Sequence, residues 1–196
     1  MEVPVNIMIS ARHLHLTEET YYKLFDKELT VKNPLNQVGQ FAANETVTIK
    51  TDKGVFENVR IIGPFRKYNQ VEVSKTDARK LGINPPVRKS GDVAGSEVVT
   101  IITPKASVEV EACIIADRHV HFDPETAKKY NVVDGQKLNL KIGGIKPGSI
   151  IVNAKVSDDG YFEVHLDTDD ANAFLIDNDN NQGTLEIWVF ILATLK

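Results

Sequence analysis

Histidines in two matching tetrapeptides are the residues best suited to chemistry in this sequence. Arg-His-Leu-His occupies residues 12–15, near the start of the chain, and Arg-His-Val-His occupies residues 118–121, after its midpoint. The chain has five histidines, and four of them belong to these two His-x-His pairs. Side chains of an extended strand repeat every second residue, so both imidazoles of a pair face one side and can chelate one ion.

A third donor follows each pair within a short internal repeat. The segment 71–78, Val-Glu-Val-Ser-Lys-Thr-Asp-Ala, aligns with the segment 164–171, Val-His-Leu-Asp-Thr-Asp-Asp-Ala. The second residue is Glu72 in one segment and His165, the fifth histidine, in the other. The sequence thus offers two donor sets, called here the first triad (His13, His15 and Glu72) and the second triad (His119, His121 and His165).

Both triads have the donor chemistry of a metal site. Three nitrogen or oxygen donors with one position left open are typical of a catalytic zinc site rather than a structural one. Imidazole and carboxylate without thiolate suit zinc, with manganese, cobalt, iron and nickel as alternatives. A single exposed His-x-His pair is often only a solvated strand edge, but two pairs with matched third donors favour metal ligation.

Composition and charge exclude several classes of protein. At 196 residues the chain can form one domain or two small ones with a buried core. Its formal charge of −4 argues against a nucleic-acid partner, and no apolar run is long enough to span a bilayer as a helix. The single cysteine, Cys113, cannot form an internal disulfide and suits a reducing compartment. Because it lies in an apolar run, we expect a buried side chain and not a nucleophile.

Short strand patterns separated by Gly, Pro and Asn must position these donors. They predict one hairpin around the turn at 52–54, a second around Pro104, and further strands in the second half of the chain. The final apolar run, 185–192, predicts a buried strand. Short helices are predicted at about 18–27, 76–81, 124–130 and 169–175. Many short strands with few helices indicate a mainly β protein made of β-barrels, with the helices capping the barrel ends.

Each His-x-His pair lies between an apolar strand pattern and a helix-start signal. Thr17 is followed by two glutamates after the first pair, and Asp123 followed by Pro124 is a typical helix start after the second. We therefore expect each pair at the end of a strand, facing an open mouth.

Arg66 is the candidate for binding an oxyanion. It lies in the turn Gly-Pro-Phe-Arg-Lys at 63–67, close before Glu72, so its guanidinium could reach the same mouth. Arginine gives a tetrahedral oxyanion parallel hydrogen bonds, whereas lysine gives a point charge. A surface arginine in a turn explains the sequence equally well.

Motifs along nearly the whole chain match one known family. They are Ser-Ala-Arg-His-Leu-His-Leu-Thr at 10–17, Gly-Gln-Phe-Ala at 39–42, Gly-Pro-Phe-Arg at 63–66, Gln-Val-Glu-Val-Ser-Lys-Thr-Asp-Ala at 70–78, Pro-Pro-Val-Arg at 85–88, Ser-Gly-Asp at 90–92, Ala-Asp-Arg-His-Val-His at 116–121 and Glu-Val-His-Leu-Asp-Thr-Asp at 163–169. With these motifs the chain resembles the PduL-type phosphate acyltransferases (phosphotransacylases), which exchange coenzyme A for phosphate on a short acyl group.

The resemblance implies a two-zinc site that fits the two triads. The first triad would bind one zinc with the coenzyme A sulfur as fourth ligand, and the second triad would bind another zinc together with waters. Arg66 corresponds to the family's phosphate-binding arginine. The positions that match residues near the bound coenzyme are Ser10, Lys32, Arg60 and Asn172.

The resemblance also implies an architecture and partners. The family fold is two β-barrels capped by short helices, here 12–116 for the first barrel and 1–11 with 117–196 for the second. The expected state is a homodimer, and the expected partners are a short-chain acyl-CoA, phosphate, coenzyme A and, in metabolism, an acyl kinase. The expected context is propanediol degradation.

Two regions depart from the family pattern. Relatives inside bacterial microcompartments carry an amphipathic segment before the first motif, whereas here that motif begins almost at Met1. We therefore expect a free cytoplasmic enzyme. The segment 173–182 is longer and more polar than in the family, a difference that could alter the dimer contact or the rim of the coenzyme site.

The expected reaction is direct attack of phosphate on a thioester carbonyl. Arg66 would hold the phosphate, the zinc ions would polarise the carbonyl oxygen, and the first zinc would accept the departing sulfur. No serine or cysteine nucleophile should then be essential. Propanoyl-CoA and acetyl-CoA differ by one methylene, worth about 1 kcal/mol, so the sequence does not choose between them.

Two alternatives remain at this stage. A zinc-dependent hydrolase of a thioester or amide would consume acyl-CoA without phosphate. A non-catalytic metal- or nucleotide-binding module would bind metal and turn nothing over.

Overall fold

Strands are the main regular elements of the structure, a computed structural model that describes residues 1–187. The strands are β1 (Glu2–Ser10), β2 (His13–His15), β3 (Val31–Pro34), β4 (Phe41–Lys50), β5 (Val55–Gly63), β6 (Gln70–Glu72), β7 (Val87–Arg88), β8 (Glu97–Ile102), β9 (Ser107–Ala116), β10 (His119–Phe122), β11 (Lys137–Ile142), β12 (Gly148–Val156), β13 (Glu163–Asp167) and β14 (Gln182–Glu186). The helices are α1 (Glu18–Leu24), α2 (Lys75–Leu81), α3 (Pro124–Tyr130) and α4 (Thr168–Phe174).

The chain divides into two units. The first unit contains Ser10–Asp117 and Asp167–Asp169. The second unit contains Met1–Ile9, Arg118–Leu166 and the described residues from Asp170 onward. Each unit therefore contains one of the two His-x-His pairs.

Six strands of the first unit close into a barrel. Strand β4 pairs with β5, β5 with β2, β2 with β6, β6 with β9, β9 with β8, and β8 pairs back with β4. The short strands β3 and β7 extend this sheet from β4 and β9. Apolar side chains, among them Leu14, Ile61 and Val71, form the core of the unit. Both hairpins predicted in this half, β4–β5 and β8–β9, are confirmed.

The second unit is a six-stranded closed barrel with the order β1-β13-β10-β12-β11-β14. Its first strand comes from the start of the chain, where β1 pairs antiparallel with β14. Val3, Val5 and Ile7 alternate with exposed residues and pack in the core, as a period of two requires. The predicted fold class, a mainly β protein with two β-barrels and a few short helices, is confirmed.

The two barrels repeat one strand arrangement around the His-x-His pairs. Strand β2 lies between β5, which is parallel to it, and β6, which is antiparallel. Strand β10 lies in the same way between β12 and β13. The sequence repeat between segments 71–78 and 164–171 therefore corresponds to a repeated arrangement of three strands in the two barrels.

The position of the His-x-His pairs differs from the predicted one. Neither pair ends the apolar strand that precedes it, since His13–His15 forms the separate strand β2 and His119–Phe122 forms the separate strand β10. Strand β1 belongs to the second barrel and β2 to the first, while β9 belongs to the first and β10 to the second. The chain therefore changes barrels immediately before each pair, and an apolar run alone does not reveal such a break.

Side-chain caps start the helices that follow the pairs. The Thr17 side chain accepts a hydrogen bond from the Thr20 backbone N–H, and Asp123 does the same for Thr126 with Pro124 at the first helical position. Both predicted starts are confirmed. The first helix ends at Leu24, earlier than predicted.

The early end of α1 has a local cause. Phe25 adopts an extended backbone with φ −132° and ψ 149°, although its N–H still donates to the Tyr21 carbonyl. The Phe25 ring stacks on the Tyr21 ring with centroids 4.7 Å apart. The helix therefore ends where the backbone becomes extended at Phe25, and the ring contact spans this end.

Strand β14 contains Leu185, which is fully buried. It confirms the start of the predicted final strand, while the rest of that prediction, from residue 188 to 192, lies outside the described residues.

The segment 173–182 joins α4 to β14 and buries Ile176 in the core of the second unit. Within residues 1–187, no helix combines the length and apolar character needed to cross a membrane.

Cys113 is a buried core residue, as predicted. It is fully buried in β9, where it is paired with Val71 of β6. Burial, together with the charge of Glu97, raises the pKa of its thiol to about 12. The thiolate needed for nucleophilic attack is therefore scarce near neutral pH.

We expect Cys113 to resist alkylation in the native protein, because reagent access and thiolate formation are both blocked. Incubation with iodoacetamide at pH 8, followed by mass spectrometry, should show no adduct in buffer and complete modification in urea. Rapid modification of the folded protein would contradict the buried position.

Candidate functional site

Both triads lie on the outer surface of a barrel sheet. Leu14 and Val71 pack in the core of the first unit, so His13, His15 and Glu72 on the same strands face the opposite side. In the second unit Val120, Val164 and Leu166 are likewise in the core. The triads were predicted at strand ends facing an open mouth. They lie instead on the outer face of the sheet, because apolar side chains fill the barrel interior.

The register of β2 and β6 assembles the first triad. His13 stands directly across from Glu72, and its Nε2 lies 3.6 Å from Glu72 Oε2. His15 follows two residues later on the same face. One potential ligand atom from each of the three side chains lies within 4.8 Å of the others.

Backbone carbonyls orient both imidazoles of the first triad. Nδ1 of His13 lies 2.9 Å from the Ala11 carbonyl oxygen, and Nδ1 of His15 lies 3.0 Å from that of Ile62. A carbonyl oxygen can only accept, so each Nδ1 carries the proton and each Nε2 presents its lone pair. This is the arrangement that histidine ligands of metals commonly show.

His15 is held in its neutral form. Burial, followed by the charges of His13 and Arg66, lowers the pKa of His15 to about 3. The side chain is almost fully buried, at 3% exposure. Neutral imidazole is the form that binds a metal, so no proton has to be displaced near neutral pH.

The second triad has the same register with a different third donor. His119 stands across from His165, and His119 Nε2 lies 3.1 Å from His121 Nε2. One potential ligand atom from each histidine lies within 4.8 Å of the others. The Tyr161 hydroxyl is 2.6 Å from His165 Nε2, and the Tyr161 ring stacks on His121.

The donor distances fit a small divalent cation. Two donor atoms bound to one tetrahedral zinc at 2.0–2.2 Å would be about 3.3–3.6 Å apart. The His119 and His121 nitrogens are 3.1 Å apart, and the His13 nitrogen lies 3.6 Å from the Glu72 oxygen, both close to that range. With three imidazole or carboxylate donors each, both triads can hold an ion and leave a position open.

Arg66 lies beside the first triad. Its backbone N–H donates to the Leu16 carbonyl at 2.9 Å, and its Nη1 donates to the Tyr68 hydroxyl at 3.1 Å. Its positive charge contributes to the lowered pKa of His15. The half-buried guanidinium is therefore close to His15.

The predicted coenzyme residues have different positions. Arg60 is paired with His13 across β5 and β2, and its Nη1 donates to the carbonyls of Ala43 and Asn44 at 2.9 and 3.0 Å. Lys32 is exposed on β3, which pairs with β4 next to β5. Of the remaining two, Ser10 is the last residue of β1 and Asn172 is exposed on α4 of the second unit.

Sequence reasoning missed several polar residues that contact the donors. Gln70 donates from Nε2 to Glu72 Oε1 at 2.6 Å, and Glu163 Oε2 lies 3.5 Å from His165 Nε2. Both precede the third donor by two residues, which places them on its face of the strand. That spacing was the available signal. Tyr161 precedes β13, and no sequence pattern indicated its contact with His165.

Comparisons with known proteins identify a family for the chain. The family model described as phosphate propanoyltransferase matches residues 6–177. Phosphate propanoyltransferase of Priestia megaterium is 47% identical over 176 residues, covering 88% of this chain and 81% of that protein. The Lachnoclostridium phytofermentans protein of the same name is 47% identical over 177 residues, covering 87% and 81%. That of Thermotoga maritima is 43% identical over 180 residues, covering 89% and 86%.

These likenesses make the chain an acyltransferase of the phosphotransacylase class. It belongs to the phosphate propanoyltransferase family, and the family assigned from the sequence motifs is confirmed.

If each triad binds an ion, loss of one donor should remove one equivalent of metal. We expect His15→Ala and His121→Ala each to lower zinc content from two per chain to one, because two donors hold zinc far less tightly than three. Metal analysis after gel filtration in zinc-buffered solution measures this. Two retained equivalents in either variant would contradict the donor assignment.

Proposed function

We propose that this acyltransferase interconverts a short-chain acyl-CoA, propanoyl-CoA or acetyl-CoA, plus phosphate with an acyl phosphate plus coenzyme A at a two-zinc site. The observation that carries the proposal is the pair of triads with matching strand register, one of them beside Arg66. Family membership supports the reaction class. Zinc bound to the triads would supply Lewis-acid polarisation of the thioester carbonyl and a site for the leaving sulfur.

Arg66 is proposed to bind the attacking phosphate. The hydrogen bond to Tyr68 occupies one edge of the guanidinium and fixes its direction, while the remaining N–H groups suit phosphate oxygens. A phosphate oxygen then forms the C–O bond to the acyl carbon as the C–S bond breaks, and coenzyme A leaves as a thiolate. Phosphate is partly dianionic near neutral pH, so no strong general base is required.

The protein's own groups keep His15 neutral and orient both imidazoles of the first triad. The Nδ1–H groups of His13 and His15 remain bonded to backbone carbonyls, so their Nε2 atoms point away from the sheet. Arg60 and Lys32 carry positive charges on the sheet of the first triad and are proposed to bind phosphate groups of coenzyme A, with Ser10 and Asn172 as further coenzyme contacts. The buried thiol of Cys113 supports a route without an acyl-cysteine.

We further propose a homodimer in the cytoplasm, with an acyl kinase as the metabolic partner that uses the acyl phosphate and propanediol degradation as the context. The likeness to the PduL-type family supports this proposal.

The reaction should depend on phosphate and metal together. We expect coenzyme A release from propanoyl-CoA and acetyl-CoA only when phosphate is present, with equimolar acyl phosphate, and loss of activity after chelation. A thiol-reactive dye and hydroxamate formation report the two products. Coenzyme A release at the full rate without phosphate would instead identify a hydrolase, and bound zinc without turnover would identify a binding module.

Arg66→Ala should lower kcat/KM for phosphate by about 100-fold or more, because a positioned cationic donor to the reacting oxyanion is lost. The effect should be largest at low phosphate, and KM for acyl-CoA should change little. Arg79→Ala, an exposed arginine on α2, is the matched control and should behave as wild type. Normal turnover of Arg66→Ala at low phosphate would refute the assignment.

A further inference from the structure

The Ser-Gly-Asp motif at 90–92 has no part in the proposed chemistry, yet it contacts residues that do. It lies between β7 and β8, where the Asp92 N–H donates to the Lys89 carbonyl at 3.0 Å and closes a turn. Ser90 Oγ accepts a hydrogen bond from Gln70 Nε2 at 3.0 Å, and the Gly91 N–H donates to Gln70 Oε1 at 2.7 Å. We call Ser90 and Gly91 the 90–91 turn.

Gln70 links this turn to a donor of the first triad. Its side chain has no exposure to solvent. The two N–H groups of its amide donate to Ser90 Oγ and Glu72 Oε1, while its oxygen accepts from Gly91. With both hydrogens and the oxygen occupied, the amide has one orientation. The Glu72 carboxylate is thereby held by Oε1, and Oε2 is the oxygen near His13 Nε2.

The same turn lies against the residue that holds Arg66. A Cβ atom on Gly91 would be 3.3 Å from the Tyr68 hydroxyl, so this hydroxyl packs closely on the glycine. Gly91 has φ +99°, a backbone conformation that side-chain-bearing residues rarely adopt. The Tyr68 hydroxyl in turn accepts from Arg66 Nη1 at 3.1 Å.

We propose that the 90–91 turn is a positioning element for the reaction: through Gln70 it fixes the Glu72 carboxylate for the metal, and through Tyr68 it fixes the Arg66 guanidinium for phosphate. The inference rests on the proposed function, because it assigns supporting residues to that site. Gln70 and Tyr68 act through other residues and are positioning residues.

The chemistry of the contacts favours positioning over simple packing. A partly buried carboxylate such as that of Glu72, which must present one oxygen to a cation, gains from a donor on its other oxygen, and an amide provides that donor without adding charge. Loss of such outer partners typically weakens metal binding about 10–100-fold. A residue that served only the core would affect unfolding without changing metal affinity.

Gln70→Leu tests the link to the metal through zinc content, independently of activity. At a free zinc concentration that just keeps the wild type at two equivalents per chain, the variant should fall towards one equivalent, reflecting about 10–100-fold weaker binding at the first triad. Gln136→Leu is the matched control, because it also removes a hydrogen bond between a side-chain amide and the backbone: Gln136 Oε1 accepts from the Val133 N–H in the second unit. It should retain two equivalents.

Ser90→Ala provides a milder variant in case Gln70→Leu does not fold. It removes one acceptor of the Gln70 amide and should weaken zinc binding about 2–10-fold, the effect of one net hydrogen bond. Circular dichroism and thermal unfolding identify which variants are folded. Wild-type zinc affinity in folded Gln70→Leu, or in Ser90→Ala if that variant alone folds, would overturn the link to Glu72.

Tyr68→Phe tests the link to phosphate. It should raise KM for phosphate about 2–10-fold while leaving KM for acyl-CoA and zinc content unchanged. An unchanged KM for phosphate would overturn the link to Arg66. A wild-type protein that binds no zinc or forms no acyl phosphate would instead refute the proposed function, so the two failures are distinguishable.

Discussion

Both triads depend on the register of one antiparallel strand pair. In the first unit β2 meets β6 so that His13 faces Glu72, and in the second β10 meets β13 so that His119 faces His165. A slip of one residue would turn every donor into the barrel and expose the apolar neighbours instead. The buried side chains of Leu14 and Val71 oppose such a slip, since their packing is lost with it. Packing of the core therefore fixes the relative positions of the donor side chains on the outer face of the sheet.

Much of this arrangement follows from local sequence patterns. The period of two in Val3, Val5 and Ile7 indicates a strand with one buried face, and Asp123 with Pro124 indicates a helix start. The His-x-His spacing and the short repeat bring together six side chains that the structure places in two clusters. These signals succeed because strand alternation and helix capping are local effects that a few neighbouring residues determine.

Other features depend on partners that are distant in sequence. The passage from one barrel to the other after β1 was expected only from the family resemblance, because no local pattern between residues 10 and 13 shows it. The end of α1 was placed too late for a local reason, since no Gly or Pro precedes Phe25 to mark where the backbone becomes extended. Gln70 was overlooked because its amide is oriented by hydrogen bonds to Ser90 and Gly91, which follow it by about twenty residues in the sequence.

The donors lie on the outer face of the barrel sheet, and apolar side chains of the same strands lie on its inner face. A single strand therefore contributes some residues to core packing and others to the donor triads. In β2 the middle residue, Leu14, belongs to the core, whereas the histidines on either side belong to the site. Engineering for thermostability can therefore address one set of side chains and engineering for substrate or metal preference the other. Volume-conserving exchanges of interior residues should be tolerated by the site as long as the strands stay aligned.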